Sequence, residues 1–345
     1  MAKPVRKDNP WLDWEFEEKV FRYFHERVPK KVFDAHFHIS KREIPDVPDD
    51  EMLKTANNET ERMIGTGKLK GGLVMGNPYT FSTQERYEEE RRFSCENACR
   101  YEGFVTGLIV RPQDGPEDVE KWLLEYPRIV ALKVYWTYGT TQNFETDILD
   151  FAPEWIWEIA DKHGLIVILH ISHDSESLNH PMNAQQIRYI CKKYPNAKMQ
   201  LAHCAMGHNP YMFKKGLKNL EGLDNVYLDL SGIGEALTFI YALRDFDRKK
   251  LLYGTDGFNF GYTSLGRCMG IGKGFLGLHR GTGIPAVGNP GEVDSPYRFG
   301  GLTAAAEGLL ALFAAGDIVG LTEEEWEDIF YNNAANLMYP IMREE

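Results

Sequence analysis

Four short stretches each end an apolar run on a residue that can ligate a metal. They are Val32-Phe33-Asp34-Ala35-His36-Phe37-His38, Leu165-Ile166-Val167-Ile168-Leu169-His170, Met199-Gln200-Leu201-Ala202-His203 and Leu251-Leu252-Tyr253-Gly254-Thr255-Asp256. Alternate side chains of a strand share a face, so His36 and His38 point the same way. Imidazoles and a carboxylate gathered from several strand ends form a nitrogen/oxygen set suited to a divalent cation. Each residue alone has a plainer reading: His170 and His203 as buried core histidines, Asp256 as the cap of a following helix, His36-Phe37-His38 as a chance pair. Their recurrence at four strand ends, in chain order, favours a metal site at the carboxyl mouth of a parallel barrel.

The elements that must position these residues follow from hydrophobic patterning. Apolar, β-branched runs predict strands near 32–38, 71–76, 103–110, 129–135, 164–170, 198–203, 225–230 and 250–255. Helix-patterned stretches such as 116–124, 152–163 and 184–194 lie between most of them. This alternation predicts an α/β (β/α)8 TIM barrel. A doubly wound open sheet is the runner-up, but the Gly-rich loop expected after its first strand is missing. Residues 11–28, with Trp14, Val20, Phe21 and Phe24 at helical spacing, predict an N-terminal helix beside the barrel entrance. The expectation is one domain over 1–345, with the barrel core at about 32–256 and a C-terminal loop and helices at 257–345. Two long loops, 40–69 after the first strand and 257–300 after the eighth, are expected to border the pocket as lids or substrate contacts. The second is rich in glycine and carries Arg267, Lys273, His279, Arg280, Asp294 and Arg298.

The ligand pattern resembles the amidohydrolase superfamily, whose members carry HxH on strand 1, His on strands 5 and 6, and Asp on strand 8. The likeness is nearest to the amidohydrolase-related branch that includes aminocarboxymuconate-semialdehyde decarboxylase and pyrone-dicarboxylate lactonase. It spans about 32 to 340 and includes the C-terminal Asn332-Asn333-Ala334-Ala335-Asn336-Leu337, where Asn336 replaces an Arg common in that branch. The resemblance implies a catalytic metal, most often zinc and otherwise manganese or iron, on His36, His38, His170 and Asp256. It implies that the metal lowers the pKa of its bound water from 15.7 to roughly 7. Asp256 would take that water's proton, and His203 would polarise the substrate or act as general acid/base. Lys133, in Leu132-Lys133-Val134-Tyr135, resembles the carboxylated lysine of binuclear relatives and with His203 could hold a second metal. One metal per chain is favoured over two, with Lys133 then ion-paired or binding an anionic substrate.

Hydrolysis of a C–N or C–O bond is the first expectation, since metal hydroxide and a carboxylate base suffice for it. Non-oxidative decarboxylation is the alternative, and a non-catalytic metal-binding barrel a distant third. Several decarboxylases of the resembling branch have Glu three residues after the strand-6 His, where this chain has Met206. Arg111, following the third strand, could bind a substrate carboxylate bidentately or make a rim salt bridge. Tyr135, Trp136 and Tyr138 could wall the pocket or simply pack, and His173, His180, His208 and Asn209 stand close in sequence with no assigned role.

The net charge of −12 repels phosphate backbones and anionic lipid, which argues against nucleic acid and membrane partners and leaves a small, anionic substrate bound by local charge. The first residues lack a signal-peptide apolar region, no run is long enough to span a bilayer, and five scattered cysteines read as reduced thiols. A cytoplasmic enzyme is therefore expected, with a homodimer as the base-rate assembly. Cys95 and Cys99 share a helix face but lack the partners of a structural zinc site.

Overall fold

The computed structural model describes residues 14–41, 47–78, 83–141, 145–173, 176–257, 268–271, 274–277 and 302–343. Eight parallel strands form one sheet in sequential order: β1 Val32–His38, β2 Leu69–Met75, β3 Phe104–Ile109, β4 Ile129–Tyr135, β5 Ile166–His170, β6 Lys198–Leu201, β7 Val226–Asp229 and β8 Leu251–Leu252. The ends of the sheet meet, because Ala35 N donates to Tyr253 O (2.8 Å) and Asp256 N donates to His36 O (2.9 Å). The fold is thus the TIM barrel that the alternation predicts.

Both faces of these strands are buried, which is why they read as continuous apolar runs rather than alternating ones. Phe33, Ala35, Leu73, Met75, Val105, Ala131, Ile166, Ile168 and Leu252 fill the barrel interior. Val32, Phe37, Val74, Leu132, Val134, Val167 and Leu169 join the outer cluster, packed with the helices. Strict alternation breaks in β1, where the register with β2 shifts between Asp34 and Phe37. Ala334, Leu337 and Met338 of the helix Asn333–Met338 pack with the interior cluster, and Tyr339 stacks edge-on against Phe33 at 5.6 Å. The C-terminal segment therefore plugs the barrel floor, leaving the carboxyl ends of the strands for chemistry.

The connection after β1 departs from expectation. It carries, rather than a polar lid alone, a helix, Met52–Ile64, that buries Met52, Leu53, Ala56, Met63 and Ile64 in the core. Lys54 of this helix is exposed and Glu61 and Arg62 are half-buried, whereas Glu59 is buried and pairs with Arg62 (3.4 Å), which also pairs with Glu17 (2.8 Å) of the N-terminal helix Trp14–Arg27. That N-terminal helix also sets Phe24 against Phe313 (5.9 Å) of the helix Ala304–Val319, so it packs on the outer helices. The glycine-rich segment lies outside the described residues, apart from Gly257 and an antiparallel pair, Cys268–Ile271 with Gly274–Gly277. Its basic residues, Arg267, Lys273, His279, Arg280 and Arg298, are among those not described. Among the described residues, no helix is long and apolar enough to cross a membrane.

Candidate metal centre

The two β1 histidines converge. His36 Nδ1 donates to Asp229 Oδ2 (2.9 Å), and His38 Nδ1 donates to the carbonyl of Gly76 (2.8 Å). An oxygen that only accepts assigns the ring proton to Nδ1 and leaves Nε2 a bare lone pair. The two Nε2 atoms lie 3.0 Å apart with no proton to share between them. Two facing lone pairs at that distance repel, and a cation bound by both relieves the repulsion. Asp256 Oδ1 lies 3.5 Å from His36 Nε2 and 3.8 Å from His38 Nε2, and Lys133 Nζ is 3.4 Å from His36 Nε2. Ligand atoms of His36, His203 and Asp256 all fall within 4.8 Å of one another. The donor set fits a divalent cation.

His203 arrives by an unexpected route. β6 ends at Leu201, short of the strand end predicted at 203. His203 (φ 56°), Cys204 (49°), Ala205 (55°) and Met206 (56°) then form a left-handed turn. The His203 N–H leaves the ladder to donate to Asp229 Oδ1 (3.0 Å), which breaks the strand. Left-handed backbone costs an L-residue roughly 1–2 kcal/mol, so packing and hydrogen bonds must hold this turn in place. The turn sets the His203 ring 4.9 Å from that of His36 and 5.2 Å from that of His170, with Nδ1 facing Ser231 O (3.2 Å) and Ser231 Oγ (3.0 Å). His170 lies beside His203 rather than in the tight group, and its buried Nδ1 has no hydrogen-bond partner. Asp256 also has positive φ, 65°, just before Gly257.

Burial governs the protonation of this cluster. It pushes His36, His38 and His170 down, with Lys133 and neighbouring imidazoles adding to the effect. It takes His203 to about 4 despite Asp229. Neutral imidazoles are the form that ligates a metal. Burial lowers Lys133 to about 8, partly offset by Asp256 and Asp229. It raises Asp256 to about 6 against the pull of His36 and Lys133.

Two buried aspartates escaped functional notice in the sequence. Asp229 closes β7 and accepts from His36, Gln200, His203 and Ser231. Burial pushes its pKa up, but contact with His36, His203 and Gln200 outweighs that and holds it well below the usual carboxylate range. An acid ending an otherwise apolar strand was the available signal. Asp34 joins the ends of β1 and β8, accepting from Thr255 Oγ1 (2.6 Å), Thr255 N (3.1 Å) and His36 N (3.2 Å).

Burial raises Asp34 to about 7, against these donors. Between its ordinary value and 7 the unfolded chain has lost this proton while the folded one keeps it. The stabilisation is therefore complete below the unfolded value and disappears as pH rises through 7. An Asn at this position still accepts from both amides and can receive the threonine hydroxyl's lone pair. Metal-free Asp34→Asn should accordingly lose less stability than wild type between pH about 4.5 and about 7.5 in denaturant titrations. An equal loss in both proteins would remove Asp34 as the cause.

The remaining candidates divide. Tyr135 lies edge-on to His170 at 4.5 Å and so borders the cluster, whereas Trp136 stacks on Tyr135 (5.4 Å) and packs against the outer core. Arg111 follows β3, but its guanidinium is committed: Nη2 contacts Asp114 Oδ1 (2.9 Å) and Gln84 Oε1 (2.7 Å), and Cζ lies 3.5 Å from the Tyr87 ring centroid. This is the rim ion pair that the sequence offered as the alternative to carboxylate binding. Tyr138 is half-buried, and desolvation raises its pKa well above normal despite Arg111. His173 and His180 stack on each other at 3.7 Å, and His208 is buried. Asn209 caps the helix Pro210–Leu217 by accepting from Tyr211 N and Met212 N. Cys95 and Cys204 are buried and Cys99 is exposed, and none of the three is in a disulfide.

Gly257 shows how tightly the β8 end is drawn against β1. Its φ is +65°, and a Cβ there would overlap the backbone nitrogen of His38. Gly257→Ala is expected to displace His38 or Asp256 and lower the melting temperature by several degrees, an effect of about 1–3 kcal/mol from strain and overlap. Thermal unfolding of the variant within a degree of wild type would contradict the close approach.

The comparisons follow this geometry. A family model described as amidohydrolase matches residues 33–338. Among curated proteins none matches in sequence. Solved structures share the fold at low identity. An amidohydrolase 2 from Bifidobacterium longum subsp. infantis is 17% identical with a TM-score of 0.51, covering 90% of this chain and 99% of its own. The 2,6-dihydroxybenzoate decarboxylase from Rhizobium is 13% identical with a TM-score of 0.50, covering 90% and 98%. An IDCase of Metarhizium anisopliae in apo form is 12% identical with a TM-score of 0.53, covering 91% and 98%. With four of the eight strands bringing histidines and an aspartate together at their ends, and a family match covering residues 33–338, this chain belongs to the amidohydrolase family.

Proposed function

We propose that this chain is a metal-dependent hydrolase that cleaves a C–N or C–O bond, in an amide, lactone or ester, of a small carboxylated molecule. The observation that carries the reading is the Asp256 carboxylate set beside two facing, unprotonated Nε2 atoms. His36, His38, His170 and Asp256 would hold one zinc, manganese or iron ion. Such an ion supplies Lewis acidity to a water and to the substrate's oxygen. Asp256 takes the proton of the attacking water at its free oxygen and delivers it to the departing nitrogen or oxygen. The water oxygen thus joins the acyl carbon as the old bond breaks, and the charges balance. His203, with Nδ1 turned to Ser231, offers Nε2 to the substrate as an orienting or proton-holding group. Lys133 supplies a buried cation beside His36 that favours an anionic substrate. It would have to be carboxylated to support a second metal, so one ion per chain is the simpler reading.

Decarboxylation is the second reading, favoured by neighbours of the same fold that carry decarboxylase names. Against one subgroup of such lyases stands Met206, buried three residues after His203, where several decarboxylases of the resembling branch carry Glu. Incubating the metal-loaded protein with aromatic carboxylic acids and with carboxylated lactones and amides separates the two. Acid released without carbon dioxide supports hydrolysis; carbon dioxide released stoichiometrically with product replaces it with the lyase.

A further inference from the structure

We propose that Asp229 is a positioning residue that sets the tautomer of His36 and, with the same carboxylate, anchors the left-handed turn carrying His203. The inference deepens the metal-centre reading and rests on it for the consequence in metal affinity, though not for the tautomer itself. Asp229 ends β7 and is fully buried. Its Oδ2 accepts from His36 Nδ1 (2.9 Å) and Gln200 Nε2 (3.0 Å). Its Oδ1 accepts from His203 N (3.0 Å), Ser231 N (3.2 Å) and Ser231 Oγ (2.6 Å).

Every atom facing either oxygen is thus a donor. Gln200 cannot reverse its amide cheaply, because the same Nε2 also donates to the carbonyl of Ala35 (3.0 Å). His36 must therefore carry its proton on Nδ1, which frees Nε2 for the cluster. On the other side, the bond to His203 N secures the first residue of four with positive φ. Ser231, held at both its amide and its hydroxyl, places its carbonyl and Oγ against His203 Nδ1. One carboxylate consequently couples β1, β6 and β7 and orients a ligand and the proposed acid/base together. Gly232 tightens this further: a Cβ there would come within 2.7 Å of His203 Nδ1.

An amide cannot reproduce this pattern. In Asp229→Asn, the NH2 group meets donors whichever way it is turned. Facing His36, it forces the proton to Nε2; facing His203 and Ser231, it opposes their amides.

The test begins with the metal-free wild-type protein labelled with nitrogen-15 at histidine, the His36 signals being those missing from a His36→Gln variant. Long-range proton–nitrogen correlation should show His36 protonated at Nδ1, and an Nε2-protonated ring overturns the proposal without any need for an Asp229 variant. In Asp229→Asn of unchanged circular dichroism, the dissociation constant for zinc or manganese alone should rise about 10–100-fold and the His36 tautomer should change. An unchanged tautomer with metal affinity within threefold of wild type also overturns it. A wild-type protein that takes up no metal yet shows Nδ1-protonated His36 refutes the metal-centre reading while supporting the tautomer assignment made here.

Discussion

Asp256→Asn should reduce turnover about 10²–10⁴-fold while leaving the barrel folded, the loss typical of removing a general base. The carboxylate lies 3.5 and 3.8 Å from the two β1 Nε2 atoms, so it can both touch a cation there and receive a proton beside it. Asparagine keeps the shape and one acceptor oxygen but cannot take the proton. The backbone conformation should also survive, because Asn tolerates the positive φ that Asp256 adopts. Turnover and metal content need to be measured on the same sample. A variant with full metal occupancy and near wild-type turnover would take Asp256 out of the mechanism. A variant that has lost its metal would assign the residue to binding first.

His36→Ala carries the second large effect, on metal content rather than rate. The substitution removes the Nε2 that faces His38 at 3.0 Å and lies nearest to both Lys133 and Asp256. It also removes one of the two donors of Asp229 Oδ2, leaving Gln200 Nε2. Loss of a direct ligand should exceed the roughly 10–100-fold affinity loss seen for outer partners of metal ligands. His173→Ala provides the contrast, since His173 stacks on His180 and faces Asp147 (3.7 Å), and should leave metal content near that of wild type. Elemental analysis after reconstitution decides the matter. Equal metal in both variants would show that the cation binds elsewhere.

The fold was legible because a parallel barrel writes each strand as an apolar run with both faces buried, and β1 to β7 fall within a few residues of their predicted places. Residues 40–69 misled because the helix Met52–Ile64 spaces its apolar residues over one buried face, a pattern hidden in a segment that is polar on average and that buries even Glu59. β8 is only two residues long by its ladder because Tyr253 and Asp256 pair with β1 through single bonds beyond it. His36, His38, His203 and Asp256 could be found from position and residue type. Asp229 carried only the weak signal of an acid ending an apolar strand; its importance lies in five donors from β1, the end of β6 and the β7 end, a meeting that no local pattern encodes. The left-handed turn was equally invisible: Cys204, Ala205 and Met206 carry no glycine or asparagine to announce positive φ. Arg111 illustrates the opposite case, where a residue in a plausible place is already occupied by Asp114 and Gln84.

The proposed ligands straddle the seam where the sheet closes on itself. His36 and His38 come from the first strand, Asp256 comes from just past the last, and Asp34 bonds Thr255 across a separation of 221 residues. Closing so long a loop is entropically late in assembly, because nearby strands can pair well before the two ends meet. The chemistry proposed for this barrel therefore requires the closed ring: with seven strands paired, the histidines would lack the carboxylate of Asp256. A cation that binds only after closure acts as a clasp on a ring, drawing the folding equilibrium towards the closed state in proportion to its free concentration.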